Sequence, residues 1–188
     1  MSEPRSNHAP QDARSVSQVG TPAQHEAWMD AALSLLDEAV GHGEVPIASL
    51  LVLAGTGRIV GRGWNEYRAK RDPTGHAEVM AFRDAAGRYP EGADDLVLVT
   101  TLEPCVMCYG MALTAGVAAV VYALPAPSNG GLSRVCPPDG TNRPAAFGHV
   151  RYAAARATMQ RWHDANGGND ESFVGRLLRS LPESPPAD

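Results

Sequence analysis

His76-Ala77-Glu78 and Pro104-Cys105-Val106-Met107-Cys108 are the stretches on which the reading of this chain turns. Each follows an apolar run and opens what the pattern predicts to be a helix. One histidine and two cysteines offer three soft ligands. That is one short of a closed tetrahedral structural zinc site, and it is the number a catalytic zinc takes while its fourth position is left for water. Glu78 is then free to move protons. Residues i and i+2 lie about 200° apart on a helix and cannot share a side face. His76 and Glu78 therefore meet only if the helix begins near His76 and both side chains converge beyond its end, alongside the free N–H groups of the first turn. Cys105 and Cys108, three apart, do share a face, and Pro104 suits the first position of the helix they open. The positive end of that helix lowers thiol pKa and favours the thiolate that zinc requires.

Either half alone is a weak signal. A lone Cys-x-x-Cys serves redox chemistry or a zinc knuckle equally well. A structural zinc site would need a fourth ligand such as Cys136 or His149. Taken together, with the proline, the intervening strand and two matching helix starts, the two halves point to a catalytic zinc at His76, Cys105 and Cys108.

Further out, residues 96–102 form an apolar, β-branched strand leading directly into Glu103-Pro104-Cys105, and residues 118–123 form another after the helix that ends at Gly116. On the N-terminal side, Trp28, Ala31, Ala32, Leu35, Leu36, Ala39 and Val40 recur at helical spacing, predicting one amphipathic helix over about 24–41. Residues 47–54 and 58–64, joined by Gly55-Thr56-Gly57, predict a hairpin. The helix from about 76 to 88 starts after Asp72-Pro73-Thr74, with Thr74 as its N-cap. Short β-α-β links imply a sheet with parallel strands and helices on both faces. Residues 124–144 form a long loop rich in Pro and Gly, helices follow over 152–165 and 173–181, and 147–152 is the candidate for a fifth strand. The remaining histidines, His25, His42, His149 and His163, are expected on the surface or in loops. Glu103 is expected to bond backbone near the helix starts.

The 188 residues suit one domain, expected over 23–181 with its C-terminal helical part at 149–181, a disordered tail at 1–22 and a second tail at 182–188. A net charge of −5 gives no electrostatic reason for a long polyanionic partner. Three cysteines, two of them in the ligand pair, exclude a disulfide framework and favour a reducing compartment. No apolar run is long enough for a signal peptide or a membrane span, so a cytoplasmic location without a membrane partner is expected.

These residues carry a family resemblance. His76-x-Glu78 followed by Pro104-Cys105-x-x-Cys108 resembles the zinc-dependent cytidine and deoxycytidylate deaminase superfamily. Gly43-Glu44-Val45-Pro46, Gly63-Trp64-Asn65, Asp72-Pro73-Thr74-x-His76-Ala77-Glu78 and Leu102-Glu103-Pro104-Cys105-Val106-Met107-Cys108 resemble, within it, the branch of tRNA adenosine deaminases and bacterial guanine deaminases. The likeness covers about residues 26–123. It implies a three-layer α/β/α fold of the cytidine deaminase type, with a central mixed sheet of four to five strands. It also implies one zinc ion per subunit on His76, Cys105 and Cys108, with Glu78 as the catalytic proton carrier. Asn65 and the N–H of Ala77 would hold the base, and the protein would be a homodimer. The reaction implied is hydrolytic deamination of a nucleobase or nucleoside, purine favoured. The alternatives are a tRNA-specific adenosine deaminase making inosine at the wobble position, and a catalytically inactive binding module of the same fold. The family's glycine near the start of the first strand is replaced here by Ala48 and Ser49, which points to a repacked strand or to a changed floor under the substrate. The resemblance fades beyond residue 123, where the 124–144 loop would shape one wall of the pocket.

Overall fold

The central strands carry no polar stripe because both of their faces are covered. A computed structural model of the protein describes residues 16–137 and 143–185. Five strands, β1 (Ala48–Leu53), β2 (Arg58–Trp64), β3 (Leu96–Leu102), β4 (Ala119–Leu124) and β5 (Ala145–Phe147), form one sheet in the order β2-β1-β3-β4-β5. β1 runs antiparallel to both β2 and β3, whereas β3, β4 and β5 are parallel. The sheet is therefore mixed, as expected.

Eight helices accompany it among the described residues: α1 (Val16–Val19), α2 (Pro22–Leu33), α3 (Leu36–Gly41), α4 (Tyr67–Lys70), α5 (Ala77–Ala85), α6 (Val106–Thr114), α7 (Tyr152–Ala165) and α8 (Phe173–Ser180). Alternation along the strands divides the core in two. Leu50, Val52, Val97, Val99, Ala119 and Val121 pack with α2, α7 and α8 on one face. Leu51, Leu53, Leu96, Leu98 and Val120 pack with α5 and α6 on the other. This is the three-layer α/β/α arrangement, with α5 and α6 side by side on one face so that their first turns meet at one end of the sheet.

α5 lies unusually close to β2. A Cβ placed on Gly63 would overlap the Ala81 amide and the Ala77 carbonyl, and one on Gly61 would overlap the Ala81 carbonyl. Only glycine at these two positions lets helix backbone rest directly on strand backbone.

Several local expectations are corrected. The first helix is broken at Ser34, where Ser34 Oγ donates to Ala31 O at 2.7 Å and Leu35 N bonds Ala32 O at 3.1 Å, tightening the turn. The fifth strand is Ala145–Phe147, not 147–152, because His149 (φ 63°) and Arg151 (φ 57°) leave the extended region. His25 and His163 are buried, not superficial; His25 packs 4.4 Å from the Phe147 ring, with Nε2 2.8 Å from Val19 O. Of the N-terminal segment expected to be a tail, 1–15 lies outside the described residues, while Val16–Val19 is helical and Thr21 forms a capping box with Gln24 at the head of α2. At the other end, Tyr152 Oη donates to Pro182 O at 2.5 Å, and 186–188 lies outside the described residues.

Ser49 resolves the departure in the first strand. Its hydroxyl donates to Thr100 Oγ1 at 2.9 Å across β1 and β3, and Ala48 N donates to Thr101 Oγ1 at 3.1 Å. Neither Ala48 nor Ser49 lines the cleft described below, and both are spent on bonds between β1 and β3.

Gly63→Ala is expected to push α5 off β2 and lower the unfolding free energy by about 1–3 kcal/mol, read as a fall in denaturant midpoint at unchanged slope. An unchanged midpoint would show that the close approach is dispensable.

Candidate functional site

The first turns of α5 and α6 converge at the carboxyl ends of β2 and β3, where open α/β sheets hold their ligands. His76 is the N-cap of α5, with φ −78° and ψ 150°, so its ring stands outside the helix. Cys105 is the N-cap of α6 and Cys108 lies in its first turn. Both corrections to the expected helix starts have local causes. Thr74 does not cap α5, because its N–H and hydroxyl both donate to Asp72 Oδ1, at 2.8 and 2.7 Å. Pro104 precedes α6 instead of opening it, because its carbonyl accepts from Gly131 N at 2.7 Å.

His76 Nδ1 lies 3.6 Å from Cys105 Sγ and 3.6 Å from Cys108 Sγ, and the three donor atoms all fall within 4.8 Å of one another. Tetrahedral zinc with N at about 2.0 Å and S at about 2.3 Å separates its nitrogen and sulfur ligands by about 3.5 Å. The donor set therefore fits zinc in both chemistry and spacing.

The thiols are electrostatically unequal. Cys105 is drawn down to about 4, chiefly because the Cys108 thiol donates to it, with His76 adding to the effect against the cost of burial. Cys108 is pushed far up by the same bond and by burial. His76 is raised, first by its hydrogen bond to Cys105.

Glu78, in the first turn of α5, is 4% exposed. Burial raises it to about 7, the neighbouring Cys105 charge adds to the rise, and its own backbone N–H, His76 and the Cys108 thiol oppose it. A cation among the three donors would draw it down again. Asn65, immediately after β2, accepts from Ala77 N at Oδ1 (3.2 Å), and its own N–H bonds Ile47 O at 3.1 Å. The structure thus brings together His76, Ala77, Glu78, Cys105, Cys108 and Asn65.

Of these, Asn65, His76, Glu78 and Cys105 border a cleft of about 310 Å³, while Ala77 and Cys108 are fully buried behind it. The sequence places the polar stretch 66–74 over the pocket, and Tyr67 and Arg68 lie within it, but it gives no sign of the wall from α8. Tyr67 and Arg68 come from α4, Phe173 from α8, and Val45 and Ile47 from the approach to β1. Glu44, 1% exposed, holds α4 in place: its Oε1 accepts from Arg68 N at 2.6 Å and Ala69 N at 2.8 Å. Its position in Gly43-Glu44-Val45-Pro46 was the available signal. Phe173 had none, since nothing local in α8 marks which face meets a cleft. Glu103 bonds backbone as expected, its Oε2 accepting from Ala126 N at 2.9 Å. Gly130 packs on that carboxylate and bridges to Cys105, which brings Asn129 of the 124–144 loop to the cleft; the segment 138–142 of that loop lies outside the described residues.

The family model described as cytidine and deoxycytidylate deaminase zinc-binding region matches residues 22–124. The chain belongs to this family. Among its relatives, tRNA(Ile)-lysidine synthase of Deinococcus radiodurans is 41% identical over 147 residues, covering 76% of this chain and 25% of that protein. The tRNA-specific adenosine deaminase of Buchnera aphidicola subsp. Schizaphis graminum is 37% identical over 97 residues, covering 50% of this chain and 62% of that one. The chain thus spans a quarter of the first relative's length and under two thirds of the second's. A solved structure of guanine deaminase from Nitrosomonas europaea superposes with a TM-score of 0.64 at 22% identity, covering 74% of this chain and 84% of that one, and shares the fold. Among the described residues, no helix is long and apolar enough to cross a membrane.

Proposed function

We propose that this deaminase family member hydrolyses the exocyclic amino group of a nucleobase or nucleoside, a purine in preference to a pyrimidine, leaving a carbonyl and releasing ammonia. The observation that carries the reading is Glu78. It is a buried carboxylate beside a three-donor metal site that has no need of it as a ligand, and it borders the same cleft. An inactive binding module of this fold would have no use for a carboxylate so placed.

In this reading His76, Cys105 and Cys108 hold one zinc ion per subunit, which when bound supplies Lewis-acid activation of water. Glu78 would take one proton from the attacking water and pass it to the ring nitrogen beside the amino-bearing carbon, then take the second from the hydroxyl now on that carbon and pass it to the amine, which leaves as ammonia as the carbonyl forms. Burial raises Glu78 above the usual carboxylate range and a cation at the neighbouring donors opposes that rise, and this balance is what lets one carboxylate both accept and donate a proton. Asn65, whose carbonyl already accepts from Ala77, offers its amide N–H to an acceptor on the base. Phe173 and Leu102 supply apolar wall that excludes water. A cleft of about 310 Å³ suits one base with its sugar.

The runner-up substrate is adenosine in tRNA, supported by the tRNA-specific adenosine deaminase at 37% identity. The formal charge of −5 places it second. The thiols, with Cys136 free and exposed, support a reducing, cytoplasmic setting. The catalytic unit is proposed as the single domain over 23–181. Val106 and Met107, 47% and 37% exposed beside Cys105, support a homodimer through the α6 face.

Glu78→Gln is expected to keep its zinc while ammonia release falls about 10²- to 10⁴-fold, measured on guanine, adenine, their nucleosides and an anticodon stem-loop; retained turnover overturns the assignment. Turnover of the stem-loop alone would reverse the substrate order. Light scattering at micromolar concentration should return twice the chain mass, and a monomer would contradict the homodimer.

A further inference from the structure

The deaminase reading leaves open what the substrate carries besides its base, and the rim of the cleft bears on this. Apart from the ring of His76, Arg68 is the one cationic side chain among the residues lining the cleft. Its guanidinium is held on two sides: a terminal N–H donates to Gly43 O at 3.3 Å, and its central carbon lies 5.6 Å from the centroid of the Trp162 ring on α7. Its backbone is fixed by the Glu44 carboxylate, which accepts from Arg68 N at 2.6 Å.

What the guanidinium lacks is a counter-charge. Neighbouring cations are paired, Lys70 with Glu66 at 2.5 Å and Arg83 with Asp72 at 3.5 Å. Among the described residues, no carboxylate pairs with Arg68 or with Arg71, three residues on. Arg71 closes α4 in the left-handed region, φ 50°, and borders a second hollow of about 270 Å³ formed with Tyr67, Arg68 and Pro73. Tyr67 and Arg68 line both spaces, so the hollow adjoins the cleft at the α4 rim. Two guanidinium groups without carboxylates, beside a half-exposed tyrosine, stand out on a chain whose net charge is −5.

We propose that Arg68, with Arg71 beyond it, forms a phosphate subsite, so that the substrate is a nucleotide whose aminated base enters the cleft while a phosphate ester on its ribose is held at the α4 rim. This rests on the deaminase reading for what happens to the base. Guanidinium suits the task, because its fixed fork of donors matches phosphate oxygens in pairs. Trp162 is a positioning residue: stacked against the guanidinium, it limits the rotamers that would otherwise be frozen on binding. The same chemistry serves a free nucleoside monophosphate and a phosphodiester in RNA.

The test uses the full, zinc-loaded chain carrying Glu78→Gln, so that ligands are measured unreacted by titration calorimetry, with ammonia release by the unaltered chain run alongside. AMP and GMP are expected to bind about ten- to hundredfold more tightly than adenosine and guanosine. Arg68→Ala should abolish that ratio, Arg68→Lys should restore part of it, and Trp162→Leu should reduce it at unchanged zinc content. If an anticodon stem-loop RNA alone shows the dependence on Arg68, the subsite stands and the phosphate is that of a polynucleotide. Equal affinity for nucleoside and monophosphate, joined to stem-loop binding that ignores Arg68, overturns it. Arg68-dependent nucleotide binding without ammonia from any substrate would sink the deaminase reading and leave the subsite standing.

Discussion

Two missing side chains set the geometry of this protein. Because Gly61 and Gly63 carry no Cβ, the backbone of α5 rests on β2, and the first turn of that helix comes level with the first turn of α6. Two positive helix ends then face one another at the mouth of the sheet. There one imidazole and two thiols lie close together, Cys105 drawn well below the usual thiol range and Cys108 pushed above it, a donor set that suits a cation. Glu78 is carried into the same space by the same helix turn.

The rest of the molecule supports that junction from a distance. Glu44 ties the α4 turn and Glu103 ties the loop after β4, each by accepting backbone N–H groups of the segment it holds. α7 and α8, packed on the opposite face of the sheet, still reach the cleft through Phe173 and, by way of Arg68, through Trp162. The C-terminal third of the chain, where the family likeness fades, is therefore part of the cleft wall, and variation there is variation in what the cleft admits.

Much of this was legible in the residues. β2 and β3 were expected at 58–64 and 96–102 and are found there, β3 because it is a long apolar run and β2 because it follows the Gly55-Thr56-Gly57 turn as the partner of β1. His76, Glu78, Cys105 and Cys108 were legible because their spacing makes sense only at helix starts, and the structure brings them together there. The starts themselves were misplaced by one or two residues. Thr74 and Pro104 have the right local preferences, but Asp72 claims the threonine and Gly131 claims the proline's carbonyl. The first is a local turn in which an aspartate takes the hydroxyl that a cap would use, and the second is a long-range bond that no local pattern records. For the same reason His25 and His163, polar residues on amphipathic helices, were expected outside and lie inside, and the walls supplied by Tyr67, Arg68 and Phe173 depend on how distant elements dock.

The central claim is that three side chains, and not four, form the metal site, leaving Glu78 free for proton transfer. Zinc K-edge absorption on the loaded chain, repeated with Cys136→Ser, tests it most directly. The account predicts two sulfur and two lighter scatterers, about 2.3 and 2.0–2.1 Å from the metal, with a spectrum unaltered by the substitution. A third sulfur that vanishes with Cys136, or loss of the metal in that variant, would contradict it.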